Sequence, residues 1–180
     1  MIAALDIPQF RPEYVYICKP IKNKIMSGGL FSRIIYSSES MTMNGIYIAF
    51  NLIGQICEIF PSKFKIQFLP NTNGHSTQSS PQIQHTVETI RSLCEMERNI
   101  LSTMSTPGKT PLYKLHEQLT QNNFKYFEQN ETNSSATATN KHKTGSQQNA
   151  RFILKISGCW NTSSSYGITY KFSRVYPPTP

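Results

Sequence analysis

The chain has 180 residues, 18 Lys and Arg against 10 Asp and Glu, a net charge of +8, 38% hydrophobic residues and only 16% charged ones. A chain of this size can bury one core, and ten Phe, nine Tyr and one Trp supply its bulk. The acids include a single aspartate, Asp6, so chemistries built on clustered aspartates, such as two-metal phosphoryl transfer or aspartic proteolysis, lack their material.

The N-terminus, from Met1 to Asp6, has neither a basic region nor a long apolar run, so no secretory signal is expected. No segment approaches the roughly 18 apolar residues of a membrane span, and no membrane partner is expected. Tyr14 to Cys18 and Leu30 to Ser37 are β-branched and aromatic and read as strands, the second following the flexible pair Gly28-Gly29. Asn44-Gly45 is a turn dipeptide, after which Ile46 to Leu52 reads as another strand. Lys63 to Leu69 alternates, with Phe64, Ile66 and Phe68 on one face and Lys63, Lys65 and Gln67 on the other.

Residues 71–80 are a polar loop, and Ser80-Pro81 suits a helix start. Ile83, Val87, Ile90, Cys94, Leu101 and Met104 recur at helical spacing and predict a helix over about 82–104. Thr110-Pro111 is read as the cap of a short second helix carrying Leu112, Leu115 and Leu119. The low-complexity stretch 129–150 predicts a mobile loop within the domain. A closing hairpin follows, Arg151 to Cys159 and Tyr166 to Ser173, with Phe152, Leu154 and Ile156 on one face of the first strand and Ile168, Tyr170 and Phe172 on one face of the second. Residues 174–180 are expected to form an extended, proline-rich tail. The expected fold is α+β, mainly β, in one domain over 1–180. It is an OB-like antiparallel barrel or curved sheet with one long helix, a short second helix and a C-terminal hairpin.

Enzyme and metal signatures do not assemble. Cys18, Cys57, Cys94 and Cys159 lie far apart with no C-x-x-C pair, which fits reduced core cysteines of an intracellular protein. Gly108-Lys109-Thr110 imitates the end of a phosphate loop, but the position of its first glycine is Thr103. His75, His85, His116 and His142 share no ligand spacing. The expectation is a protein without enzyme activity and without a cofactor or metal.

The charge is unevenly placed. Residues 1–87 hold seven basic and four acidic groups, residues 88–131 five and six, and residues 132–180 six and none. The last stretch interleaves Arg151, Lys155, Lys171 and Arg174 with Trp160, Tyr166 and other aromatics, and the acid-free run 14–38 carries Lys19, Lys22, Lys24 and Arg33. Cations that follow phosphates and aromatic faces that stack on bases are the material of a single-stranded nucleic-acid surface. Aromatics on the alternating stripes, such as Phe64, Phe152, Tyr170 and Phe172, equally suit a core. Trp160 and Tyr166 flank a turn and are read as exposed platforms. Lys65, Lys155 and Lys171 make either a solvated face or phosphate contacts.

Lys19-Pro20, Gly28-Gly29, the run Arg33 to Ser37, Asn44-Gly45-Ile46-Tyr47, Leu154 to Gly158 and Tyr166 to Phe172 together resemble small single-stranded DNA-binding, OB-fold-like proteins of nucleocytoplasmic large DNA viruses. The resemblance spans most of the chain outside 129–150. It implies a role in replication or genome maintenance in a nuclear or viral replication compartment. The tail from Val175 to Pro180 lacks the acidic residues that recruit replication partners in phage relatives of such proteins.

The expected function is thus sequence-tolerant binding of single-stranded DNA or RNA, with Lys22, Lys24, Arg33, Lys65, Arg151, Lys155, Trp160, Tyr166, Lys171 and Arg174 as site residues. The alternative is a non-enzymatic β-rich structural or assembly subunit that binds a protein partner or a second copy of itself.

Overall fold

A computed structural model describes residues 3–23, 25, 28–60, 63–67, 81–104, 106–121, 123–127 and 147–176. The 71–80 loop, Lys24, residues 128–146 and the chain beyond Tyr176 lie outside these residues. In chain order the strands are β1 (Leu5–Asp6), β2 (Val15–Ile17), β3 (Ile21–Lys22), β4 (Leu30–Ser37), β5 (Thr42–Met43), β6 (Ile46–Phe60) and β7 (Lys63–Gln67). Helix α1 (Pro81–Thr103) follows, then β8 (Thr110–Leu112), helix α2 (Lys114–Thr120), β9 (Asn123–Phe127), β10 (Gln147–Asn161) and β11 (Ser165–Val175).

The period-two pattern builds the sheet. Ile46, Ile48, Phe50, Leu52 and Ile56 of β6, Phe152, Leu154 and Ile156 of β10, and Ile168 and Phe172 of β11 are all buried on one face, the inner one. Rings of four strands meet there: Phe152 lies 5.9 Å from Phe50 and 5.1 Å from Tyr126, which stacks on Phe64 at 5.6 Å. β6 runs eight residues past the expected Leu52, since its inward alternation resumes at Ile56 after Gly54. A side chain at Gly54 would collide with the carbonyl of Gln67 on β7, so glycine lets the two strands close up there.

β10 is the strand that the others share. One edge pairs antiparallel with β11 from Arg151 to Asn161. The other edge pairs with β6 from Gln147 to Ile156, then with β4 from Gly158 to Asn161. β7 and β9 extend the sheet beyond β6, while β4 also carries β2, β3 and β5. β9 comes back beside β11, but no ladder joins the two among the described residues, so the sheet is curved and open rather than a closed barrel. The fold is α+β and mainly β.

Four expectations are corrected. Gln147–Ala150, expected within a mobile loop, begin β10, because β6 offers them a backbone ladder at Gln55–Leu52 whatever their side chains. Arg174 and Val175, expected in the tail, complete β11 opposite Phe152 and Arg151. Thr110–Leu112 are strand rather than helix cap: they pair parallel with Ser165–Gly167, so only Leu115 and Leu119 remain on the buried stripe of α2. Val87 is exposed, while Ile90, Cys94 and Leu101 of the expected stripe are buried and are joined by Thr86, Thr89, Leu93, Met96, Glu97 and Ile100. Burial pushes the Cys94 thiol up to about 11 and that of Cys159 up to about 12, so both remain protonated at neutral pH. No helix among the described residues is long and apolar enough to cross a membrane.

Glu97 is fully buried. Its two carboxylate oxygens accept hydrogen bonds from the backbone N–H groups of Leu115 at 3.0 Å and His116 at 2.7 Å, the second and third residues of α2. A side chain of α1 therefore supplies the cap that Tyr113, at the cap position, does not. The Tyr170 hydroxyl of β11 lies 3.0 Å from the Lys114 carbonyl and 2.8 Å from Oε1 of Gln118 of the same helix. These contacts hold α2 against both β9 and β11, at the unladdered seam.

Burial raises the pKa of Glu97, and the two backbone hydrogen bonds oppose that rise only in part. Glu97→Ala orphans two donors and is expected to lower the unfolding free energy by about 3 kcal/mol in urea titrations. A carboxyl with a raised folded pKa binds its proton more tightly in the native state. Its contribution to stability is therefore greatest at acid pH and is lost as pH rises from about 4.5, the ordinary value, through the raised one. Unfolding midpoints followed across that range should show this decline in the parent chain and lose the component in Glu97→Gln.

Candidate nucleic-acid interface

The outer face of the sheet is laid out by cross-strand partners, whose side chains share a face. One row is Ile21, Phe31, Trp160 and Gly167, from β3 through β4 and β10 to β11. The next is Arg33, Gly158 and Thr169. The third is Tyr47, Lys155 and Lys171, from β6 to β11. The rows lie side by side along β10.

A bulge makes this arrangement. Strict alternation from Phe152 would turn Trp160 inward, but the register of β10 against β11 shifts between Ile156 and Gly158. Cys159 then faces inward and is buried, while Trp160 joins Lys155 on the outer face. Two glycines shape the surface there. A side chain at Gly158 would collide with the Phe31 ring, and one at Gly167 would lie 2.6 Å from Cζ2 of Trp160. Both rings therefore pack where a glycine leaves room for them, and both stay partly exposed. The indole Nε1 of Trp160 donates to the Ile168 carbonyl at 3.3 Å, which fixes its orientation.

Cations border these rings. Arg33 and Lys171 are exposed, and Lys155 holds its ammonium 5.0 Å above the Tyr47 ring. Among the described residues no carboxylate lies within ion-pair distance of Arg33, Lys155 or Lys171. Their charge thus faces solvent uncompensated.

The other expected site residues fall elsewhere. Arg151 is on the same face, four residues along β10 from Lys155 and roughly 13 Å away, whereas Arg174, at the end of β11, pairs with Phe152 and so belongs to the opposite face. Lys65 pairs opposite Cys57, ten residues along β6 from Tyr47 and so roughly 33 Å from Lys155. It sits with Lys125 of β9 as a separate basic pair. Lys22 shares a row with Leu30 and Asn161, on the opposite face from Arg33. Lys24 is outside the described residues. Tyr166 corrects the expectation of an exposed platform: it is 5% exposed, because it continues the inward stripe of Ile168, Tyr170 and Phe172.

Phe31 and Tyr47 were not among the expected site residues. The signal for Phe31 was its place in the acid-free run; what makes it a platform is Gly158, 127 residues later. Lys109, in the motif that imitates a phosphate loop, is engaged structurally: its ammonium bonds Oδ1 of Asn161 at 2.6 Å and the Thr162 carbonyl at 2.7 Å, tying down the β10–β11 turn. Among the described residues no group of three or more His, Cys, Asp or Glu converges to hold a metal ion.

Compared with known proteins, the chain matches no family model, no curated protein and no solved structure.

Trp160 is the only tryptophan, so its emission reports on this surface alone. Gly167→Ala forces the indole off the backbone. A red shift of emission and a loss of about 1–3 kcal/mol of stability are expected; an unchanged spectrum would show that the ring does not rest on Gly167.

Proposed function

We propose that the protein binds single-stranded nucleic acid, without strong sequence preference, across the outer face of β4, β10 and β11. One observation carries this reading: two partly exposed aromatic rings packed against glycines, with Arg33, Lys155 and Lys171 in the adjoining rows and no carboxylate paired to them among the described residues. Bases stack on aromatic faces with about 1–3 kcal/mol each, and every base has such a face, so the contact tolerates sequence. The cations attract the phosphates by releasing their counterions. A role in replication or genome maintenance, implied by the resemblance to viral single-stranded DNA-binding proteins, belongs to the same reading.

The test is titration of an oligothymidylate at several salt concentrations, followed by quenching of Trp160. Binding should weaken with salt, and the triple variant with Arg33, Lys155 and Lys171 changed to Ala should flatten the log–log salt slope by about 2, at roughly 0.7 per phosphate contact on a single strand. Phe31→Ala should weaken binding by about 1–3 kcal/mol while leaving the slope nearly unchanged. Absence of binding at low salt, or an affinity indifferent to salt, sinks the proposal.

A further inference from the structure

On the outer face of the sheet a lysine stands directly opposite another lysine twice. Lys155 of β10 pairs with Lys171 of β11, and Lys65 of β7 pairs with Lys125 of β9. Like charges at opposed cross-strand positions destabilise a sheet. Among the described residues neither pair has a carboxylate within ion-pair distance, and Lys125 and Lys171 are exposed. Each pair is thus a cost to the fold that an anion lying over it would offset.

Strand β6 links the two pairs. Tyr47 lies opposite Lys155, and Cys57, ten residues further on, lies opposite Lys65. The step is even and the ladders of β6 keep their register across it, so both pairs belong to one face. Between them that face presents the exposed carboxamides of Asn51, Gln55, Gln67 and Asn149. Asp6 of β1 is the one carboxylate on these rows among the described residues, and it lies at the edge, 3.7 Å from Nη2 of Arg151.

We infer that Lys65 and Lys125 are a second contact for the same single strand of nucleic acid, which runs from the Lys155–Lys171 pair along β6 and β10 to reach them. The inference rests on the function proposed above. Lysines meet phosphates as point charges, and Asn and Gln side chains hydrogen-bond phosphates and sugars without reading sequence, so the whole track suits a strand of any sequence. The pairs stand roughly 33 Å apart along β6, at about 3.3 Å per residue. At a stacked spacing of roughly 3.4 Å, about ten nucleotides cover that distance, and a stretched strand needs fewer. The screening length at physiological salt is about 8 Å, so the far pair acts on a strand only by touching it. A strand too short to span the track gains nothing from Lys65 and Lys125.

The experiment compares oligothymidylates about four and about sixteen nucleotides long, chosen to fall short of the track and to exceed it. Cys57, partly exposed in the Lys65 row, is a reporter already present in the chain. Its alkylation by iodoacetamide, followed by peptide mass spectrometry, should slow by about threefold or more under saturating long strand and stay unchanged under saturating short strand. The Lys65→Ala/Lys125→Ala double variant should lose about tenfold in affinity for the long strand, and its log–log salt slope should fall by about 1.4, at roughly 0.7 per phosphate contact. The same variant should bind the short strand as the parent does, which a misfolded protein would not. Lys65→Arg/Lys125→Arg should keep the parent's affinity for both. A long strand holding two protein molecules by their Lys155–Lys171 pairs would also bind tighter than a short one. A length preference with no protection of Cys57 and no effect of the double variant therefore overturns the inference and leaves the proposed function standing. Binding of the long strand that needs Lys65 and Lys125 but is indifferent to Arg33, Lys155 and Lys171 overturns the interface proposed on β4, β10 and β11. No binding of either strand at low salt overturns both.

Discussion

The bulge in β10 at Ile156–Gly158 sets the layout of the whole sheet. A strand 15 residues long, paired on both edges, would ordinarily keep one face buried throughout. The extra residue inverts that rule partway along. Before it, β10 partners β6 and buries Phe152, Leu154 and Ile156; after it, β10 partners β4, buries Cys159 and turns Trp160 outward. A single strand thus builds two parts of the sheet and brings a ring from β4, a ring from β10 and lysines from β10 and β11 onto one surface.

That surface depends on a core closed from the other side. The sheet has a seam where β9 and β11 run together without a ladder, and α2 packs against both strands there. Its N-terminus is held by a carboxylate buried in α1, a costly choice because burial penalises the charged form. Two short hydrogen bonds from backbone donors offset part of that penalty, and the donors would otherwise be orphaned inside the protein. Glu97 therefore makes the packing specific: α2 fits in one position, with Tyr170 fastened to Lys114 and Gln118.

Much of the fold was legible along the chain. Leu30–Ser37 and the onset of β6 after Asn44-Gly45 stand where alternation and turn chemistry place them, and the long helix is within one residue of its expected bounds. These features depend on neighbours in sequence, and period and turn residues carry that information. The strand at Asn123–Phe127 was not legible, nor was that at Thr110–Leu112, because each is short and exists through a partner strand. For Tyr166 the alternation with Ile168 and Tyr170 already pointed inward, and its nearness to a turn was the weaker signal.

For the candidate site the division is sharper. The gathering of cations without acids around β4 and the closing hairpin, with aromatics among them, is legible along the chain, because composition is a local property. Which of them act together follows from strand pairing. Arg33 meets Lys155 and Lys171 on one face while Lys65 and Lys22 are carried elsewhere, and Trp160 is turned outward while Tyr166 is buried. The reason is geometric: in a sheet a side chain's face and neighbours follow from the register of its strand against its partners, and one inserted residue reverses the face of every residue beyond it.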